Sequence, residues 1–110
     1  MSRTRSSEQR SDPRLRLDVQ VEVLPLDGRL SSFSSQARDF SMQGIFLDST
    51  RLPEIDTLLL LIIHPSDGGP PLKLTAQVVH RIAGRGFGCR FIDVGALTST
   101  RVRRITAAAR

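Results

Sequence analysis

The nine residues "LRLDVQVEV", Leu15 to Val23, place an apolar side chain at every odd position and Arg16, Asp18, Gln20 and Glu22 at the even ones. Successive side chains of a strand point to opposite faces, so this alternation describes a half-buried antiparallel strand. Two later runs repeat it: Leu72, Leu74, Ala76 and Val78, then Phe87, Cys89 and Phe91. Turn signals separate the runs. "PLDGR" carries an Asp27-Gly28 hairpin signal, "PSDGGPP" interrupts the middle of the chain, and "AGRG" precedes the last run. The segment "TLLLLIIH" is apolar on both faces, as a central strand covered on both sides or a short buried helix would be. Residues 30 to 38, "LSSFSSQAR", are serine-rich without Pro or Gly and read as an edge or solvent-facing strand; Gly44 to Leu47 begins another. Five or six short strands joined by turn-rich loops indicate an all-β barrel or sandwich. The tail "ALTSTRVRRITAAAR" predicts a short C-terminal helix with Leu97, Val102 and Ile105 on one side.

A chain of 110 residues makes one domain. Its longest apolar run, Leu58 to Ile63, falls far short of a membrane span. The opening "MSRTRSSEQR" has arginines but no apolar segment behind them, which argues against a secretory signal and makes cytoplasm the expected location. Cys89 is the only cysteine, so an internal disulfide or multi-thiolate metal site is excluded. Between Phe87 and Phe91 it reads as a small buried apolar residue. Neither His64 nor His80 has Cys, Asp or Glu near it at ligand spacing, so we expect no metal and no cofactor. No nucleophile stands beside a histidine and the carboxylates are scattered, so we expect no enzyme. "GRGFG" at 84 to 88 lacks the GxGxxG spacing and leads into a strand pattern, which makes it a hairpin turn and not a phosphate loop.

Charge is unevenly distributed. Residues 1 to 16 hold five arginines against Glu8 and Asp12, residues 17 to 80 hold four basic against eight acidic residues, and residues 81 to 110 hold seven arginines against Asp93. Both ends are basic around an acidic middle, a pattern that attracts phosphates of several kinds. Fifteen of the 16 basic residues are arginine, whose planar fork suits bidentate contacts to phosphate and guanine.

Two short motifs remain. "RSDPR" sets Arg10 and Arg14 in an RxxxR arrangement, and Pro13 biases Asp12 toward extended geometry, against a regular helix there. "DFSMQG" sets Asp39, Ser41 and Gly44 in a DxSxxG arrangement. Taken locally, Asp39 and Ser41 can satisfy turn backbone groups and Gly44 can supply a positive φ. Taken together and in this order, they resemble the PilZ domain family, which has RxxxR in a flexible segment before the first barrel strand and DxSxxG further on. The resemblance continues through "IFL", "LPEIDTLLLLI", "AQVVHR" and "GFGCRF", from about Glu8 to Ile92.

The resemblance implies a six-stranded antiparallel barrel with a short C-terminal helix and a flexible N-terminal arm. Residues 1 to 7 would be a tail, 8 to 95 the barrel domain with its ligand-binding arm at 8 to 16, and 96 to 110 the helix and tail. It implies that the chain binds cyclic di-GMP, a bacterial second messenger with two phosphodiesters and two guanines. Arg10 and Arg14 would hold phosphate and the guanine O6/N7 edge, for which an arginine fork is suited. Asp39 would accept from the N1/N2 edge, Ser41 would add a hydroxyl contact, and Gly44 would let backbone approach without a Cβ. Without a catalytic group the protein would act by changing shape when the arm closes, regulating a protein partner in trans. Two other readings fit the same residues: a PilZ-like adaptor that binds protein without nucleotide, and a small basic barrel for single-stranded nucleic acid. Against the last, the five Phe residues sit mainly at apolar strand positions and are not interleaved with basic residues as exposed stacking platforms. One departure from the family pattern stands out: Asp56 occupies the turn before the long apolar strand, where the family commonly has glycine.

Overall fold

The computed structural model describes residues 19–28, 30–65, 68–92 and 94–108. Six strands, β1 (Gln20–Pro25), β2 (Phe33–Phe40), β3 (Gly44–Asp48), β4 (Leu58–His64), β5 (Leu72–Ile82) and β6 (Gly86–Ile92), are followed by one helix, α1 (Ala96–Ala108). The strands close into a barrel in the order β1-β2-β3-β6-β5-β4, every neighbouring pair antiparallel. Each strand offers one apolar face, and closing the sheet turns these faces onto one another and leaves no unpaired edge.

The inner faces are those the alternation marks. Val19, Val21 and Val23, then Leu59, Leu61 and Ile63, then Leu72, Leu74, Ala76 and Val78, then Phe87, Cys89 and Phe91 are all buried in one core. Burial pushes the Cys89 thiol from its ordinary value of 9.0 to about 12, as expected of a thiol enclosed by apolar side chains. Leu15 and Leu17, the start of the predicted first strand, lie outside the described residues.

Three expectations change. Of the two readings of the serine-rich β2, solvent-facing holds, with Ser34, Gln36 and Arg38 exposed, and edge does not: it pairs with β1 on one side and β3 on the other, because barrel closure abolishes edges. The "TLLLLIIH" segment is a strand, but it is covered on one side only. Leu59, Leu61 and Ile63 point inward, while Leu60 and Ile62 are half-buried and Leu58 is exposed on the outer wall. In α1, Val102 and Ile105 join the core but Leu97 remains 85% exposed. At 100° per residue Leu97 lies well around the helix from Val102, so the three cannot share one narrow stripe.

The pairings put the start of β1, the end of β2, the start of β3 and the end of β6 at the same end of the barrel. Helix α1 lies at this end. Its Arg101 donates to the carbonyl oxygens of Pro70 (2.6 Å) and Pro71 (3.4 Å) in the β4–β5 loop.

Candidate ligand-binding site

Asp39, Ser41 and Gly44 sit on the connection from β2 to β3. Ser41 N–H donates to the Gly44 carbonyl at 2.9 Å, and the Ser41 hydroxyl oxygen accepts from the N–H groups of Gln43 (3.2 Å) and Gly44 (3.3 Å). The hydroxyl thus clamps a tight turn, as serine does in turns generally. The Gln43 carbonyl accepts from Phe91 N–H at 2.8 Å, which ties the turn to the end of β6.

Gly44 does not take the positive φ that its residue type allows; Gly28, Gly68 and Gly84 do. Its requirement is steric. Paired with Arg90 of β6, it sits so close to that strand that a Cβ would run into the Cys89 carbonyl oxygen.

Asp39 reaches its position through a β-bulge. Strict alternation from Ser35 and Ala37 would point Asp39 into the core, but the register slips between Ala37 and Asp39, so Arg38 is the extra residue. Asp39 then pairs with Phe46, between the inward Ile45 and Leu47, and so faces outward. The next residue, Phe40, turns in and packs edge-on against Phe91, ring centroids 5.9 Å apart. A bulge that re-aims one side chain is a recurrent device beside functional sites. Strand β5 does the same. Its register slips between Val78 and His80, which leaves Val79 as the extra residue and His80 on the outer wall.

The two slips fall at the same level of the barrel. Asp39 pairs with Phe46, Phe46 with Gly88, and Gly88 with His80, a row across β2, β3, β6 and β5. Two pairings along, Gly44 stands opposite Arg90, whose guanidinium donates to Gln77 Oε1 at 2.8 Å. The sequence reading missed Phe46, His80 and Arg90. Outward Phe46 was legible in the alternation of β3; His80 was hidden by the bulge.

Arg10 and Arg14 lie outside the described residues. The root of their segment does not. Val19, the first described residue, accepts from Ala37 N–H at 3.0 Å, which fixes it beside the strand that carries Asp39 two residues later. Arg14 is five residues from this anchor and Arg10 nine, giving fully extended reaches of about 18 and 32 Å.

The family model for the PilZ domain matches residues 8–108. The chain belongs to the PilZ domain family. This is a family of cyclic di-GMP receptor and adaptor domains rather than enzymes. Among solved structures, the PilZ barrel is similar to one titled "Crystal structure of PilZ domain of CeSA from cellulose synthesizing bacterium", with a TM-score of 0.66, 22% identity, and coverage of 84% of this chain and 93% of that one. That likeness concerns the fold. No curated protein matches the chain. Among the described residues of this PilZ domain, no helix is long and apolar enough to cross a membrane.

Proposed function

We propose that this PilZ domain binds cyclic di-GMP through Arg10, Arg14, Asp39, Ser41 and Gly44, and that closure of the arm over the barrel wall passes the signal to a protein partner in trans. The observation that carries the reading is the Val19–Ala37 hydrogen bond, which roots the arginine-bearing segment next to the outward Asp39. A carboxylate on a rigid strand meets the N1/N2 donors of guanine. Tethered guanidinium groups meet O6, N7 and the phosphates, which no carboxylate can. Gly44 and the Ser41 turn hold the strand entrance in place, and Arg90 adds a fixed positive charge beside it.

The magnitudes are adequate. Hydrogen bonds to charged groups contribute about 1.5–3 kcal/mol each, and micromolar binding needs about 8 kcal/mol net of association costs, so four side chains with stacking suffice where two arginines would not. Calorimetry with cyclic di-GMP, GTP and linear pGpG tests the proposal. We expect the cyclic dinucleotide to bind most tightly and Arg14→Ala to weaken it about ten- to a hundredfold. An unchanged isotherm in Arg14→Ala would remove the arm from the site. No binding by the wild type would favour the protein adaptor, for which the exposed Leu26, Ile55, Leu58, Val79 and Ile82 offer apolar surface.

A further inference from the structure

The run "TLLLLIIH" has the composition of a strand covered on both faces, yet the barrel covers only one. Its outward residues Leu58, Leu60 and Ile62 continue across β1 into Leu24 and Leu26. Leu24 pairs with Leu60, and Leu26 N–H donates to the Leu58 carbonyl at 3.0 Å. The result is one apolar patch on the outer wall of β1 and β4, with Leu26 56% and Leu58 43% exposed. Among the described residues every extensive contact between elements joins barrel neighbours, so neither α1 nor another strand lies across this wall. A contiguous exposed apolar surface marks a place where something docks.

Charge says what docks there. One row crosses the wall as Glu22, Ile62 and Lys73, paired in that order across β1, β4 and β5 and all facing outward. An acid therefore stands one strand to one side of Ile62 and a base one strand to the other. Glu22 is held on the wall by His64, whose Nε2 lies 2.6 Å from its Oε2, and the Lys73 ammonium has no hydrogen bond or ion pair among the described residues.

We propose that this wall is the interface of a homodimer, in which the β4 strands of two copies pack face to face about a twofold axis running along the strand. Rotation about that axis exchanges left and right. Glu22 of each copy then faces Lys73 of the other, while Ile62 meets Ile62 at the centre. A twofold axis across the strands through the same row would set Glu22 against Glu22, which like-charge repulsion disfavours. The leucines of the two copies fill the space of about 10 Å between the sheets, and each β4 gains the second cover that its composition calls for. Strand order around the barrel puts β4 opposite β3. The walls that carry Asp39 and Gly44 thus stay at the two far poles of the dimer, open to ligand. Three strands span only about 14 Å, so the interface is smaller than the standard ~800 Å² a side and the association is weak.

The test is sedimentation velocity without nucleotide, over a concentration series up to about 1 mM, with circular dichroism as a check on folding. We expect the wild type to pass from monomer to dimer within the series and Ile62→Lys to stay monomeric. Glu22→Lys and Lys73→Glu should each weaken the dimer about tenfold, and the double variant should restore it, because the swapped charges again face their opposites. The substituted side chains all lie on the outer wall, so folded variants are expected. Calorimetry with cyclic di-GMP should give the same isotherm for Ile62→Lys as for the wild type. A wild type that stays monomeric, or a dimer that Ile62→Lys leaves intact, overturns the interface. A dimer indifferent to both charge reversals, or not restored in the double variant, overturns the twofold arrangement. None of these outcomes depends on whether the chain binds nucleotide.

Discussion

Asp56 holds φ at +74°, a left-handed conformation that side chains other than Gly, Asn and Asp rarely accept. Its N–H donates to the Val78 carbonyl at 2.8 Å, so the backbone is fixed there by β5. The side chain adds only a long contact from Gln77 Nε2 at 3.5 Å. Glycine at this turn, as is common in the family, is thus explained by a backbone need that aspartate meets at some cost. Asp56→Gly is expected to stay within about 0.5 kcal/mol of the wild type in urea unfolding, whereas Asp56→Val should lose about 1–2 kcal/mol. Equal losses would show that the carboxylate, not the φ angle, is what matters. The same distinction between residue type and actual requirement applies at Gly44. A serine-glycine turn motif suggests a special φ, and the real constraint is the Cys89 carbonyl of a strand more than 40 residues away.

Among the elements, the strands contribute their inner faces to the core and place chemistry on their outer faces, and the two bulges alone decide which residues change face. The helix acts differently, by covering one end of the barrel. Ile105 and Val102 are buried in the core while Leu97 stands in solvent. Thermal or urea unfolding should therefore separate residues that look alike in sequence. Ile105→Ala is expected to cost about 2–4 kcal/mol, as removal of a buried aliphatic side chain does, and Leu97→Ala less than about 0.5 kcal/mol. Comparable effects would mean that the first turn of α1 packs on the barrel after all. Much of this architecture was legible beforehand. Period-two runs identified three strands outright, β1, β5 and β6, and the apolar "TLLLLIIH" run became a strand rather than a helix because β1 and β5 pair with it on either side.

At the scale of the molecule, the closed barrel is a rigid wall and the segment before Val19 is joined to it next to β2. Closure of that segment on the ligand predicts slower hydrogen exchange for residues 5 to 16 when cyclic di-GMP is added, with little change in β1, β4 and β5. Exchange in residues 5 to 16 that ligand leaves unaltered would rule out arm closure even if binding occurs, and would move the signalling surface onto the barrel itself. Ligand at 100 times its dissociation constant should also stabilise the fold by about 2.7 kcal/mol, a shift measurable by calorimetric melting.

The chain by itself determined which residues of β1, β5 up to Val78 and β6 are buried, because alternation of apolar and polar side chains records the two faces of a strand. It also carried the RxxxR and DxSxxG spacings that mark the PilZ family. Tertiary structure decided the direction of Asp39 and His80, the row that joins Phe46 to His80 across Gly88, and the anchoring of Val19 to Ala37. The physical reason is common to all three. A register slip or a close approach between strands depends on which neighbours hydrogen-bond to each other, and that pairing joins residues far apart in the chain whose local patterns carry no trace of one another.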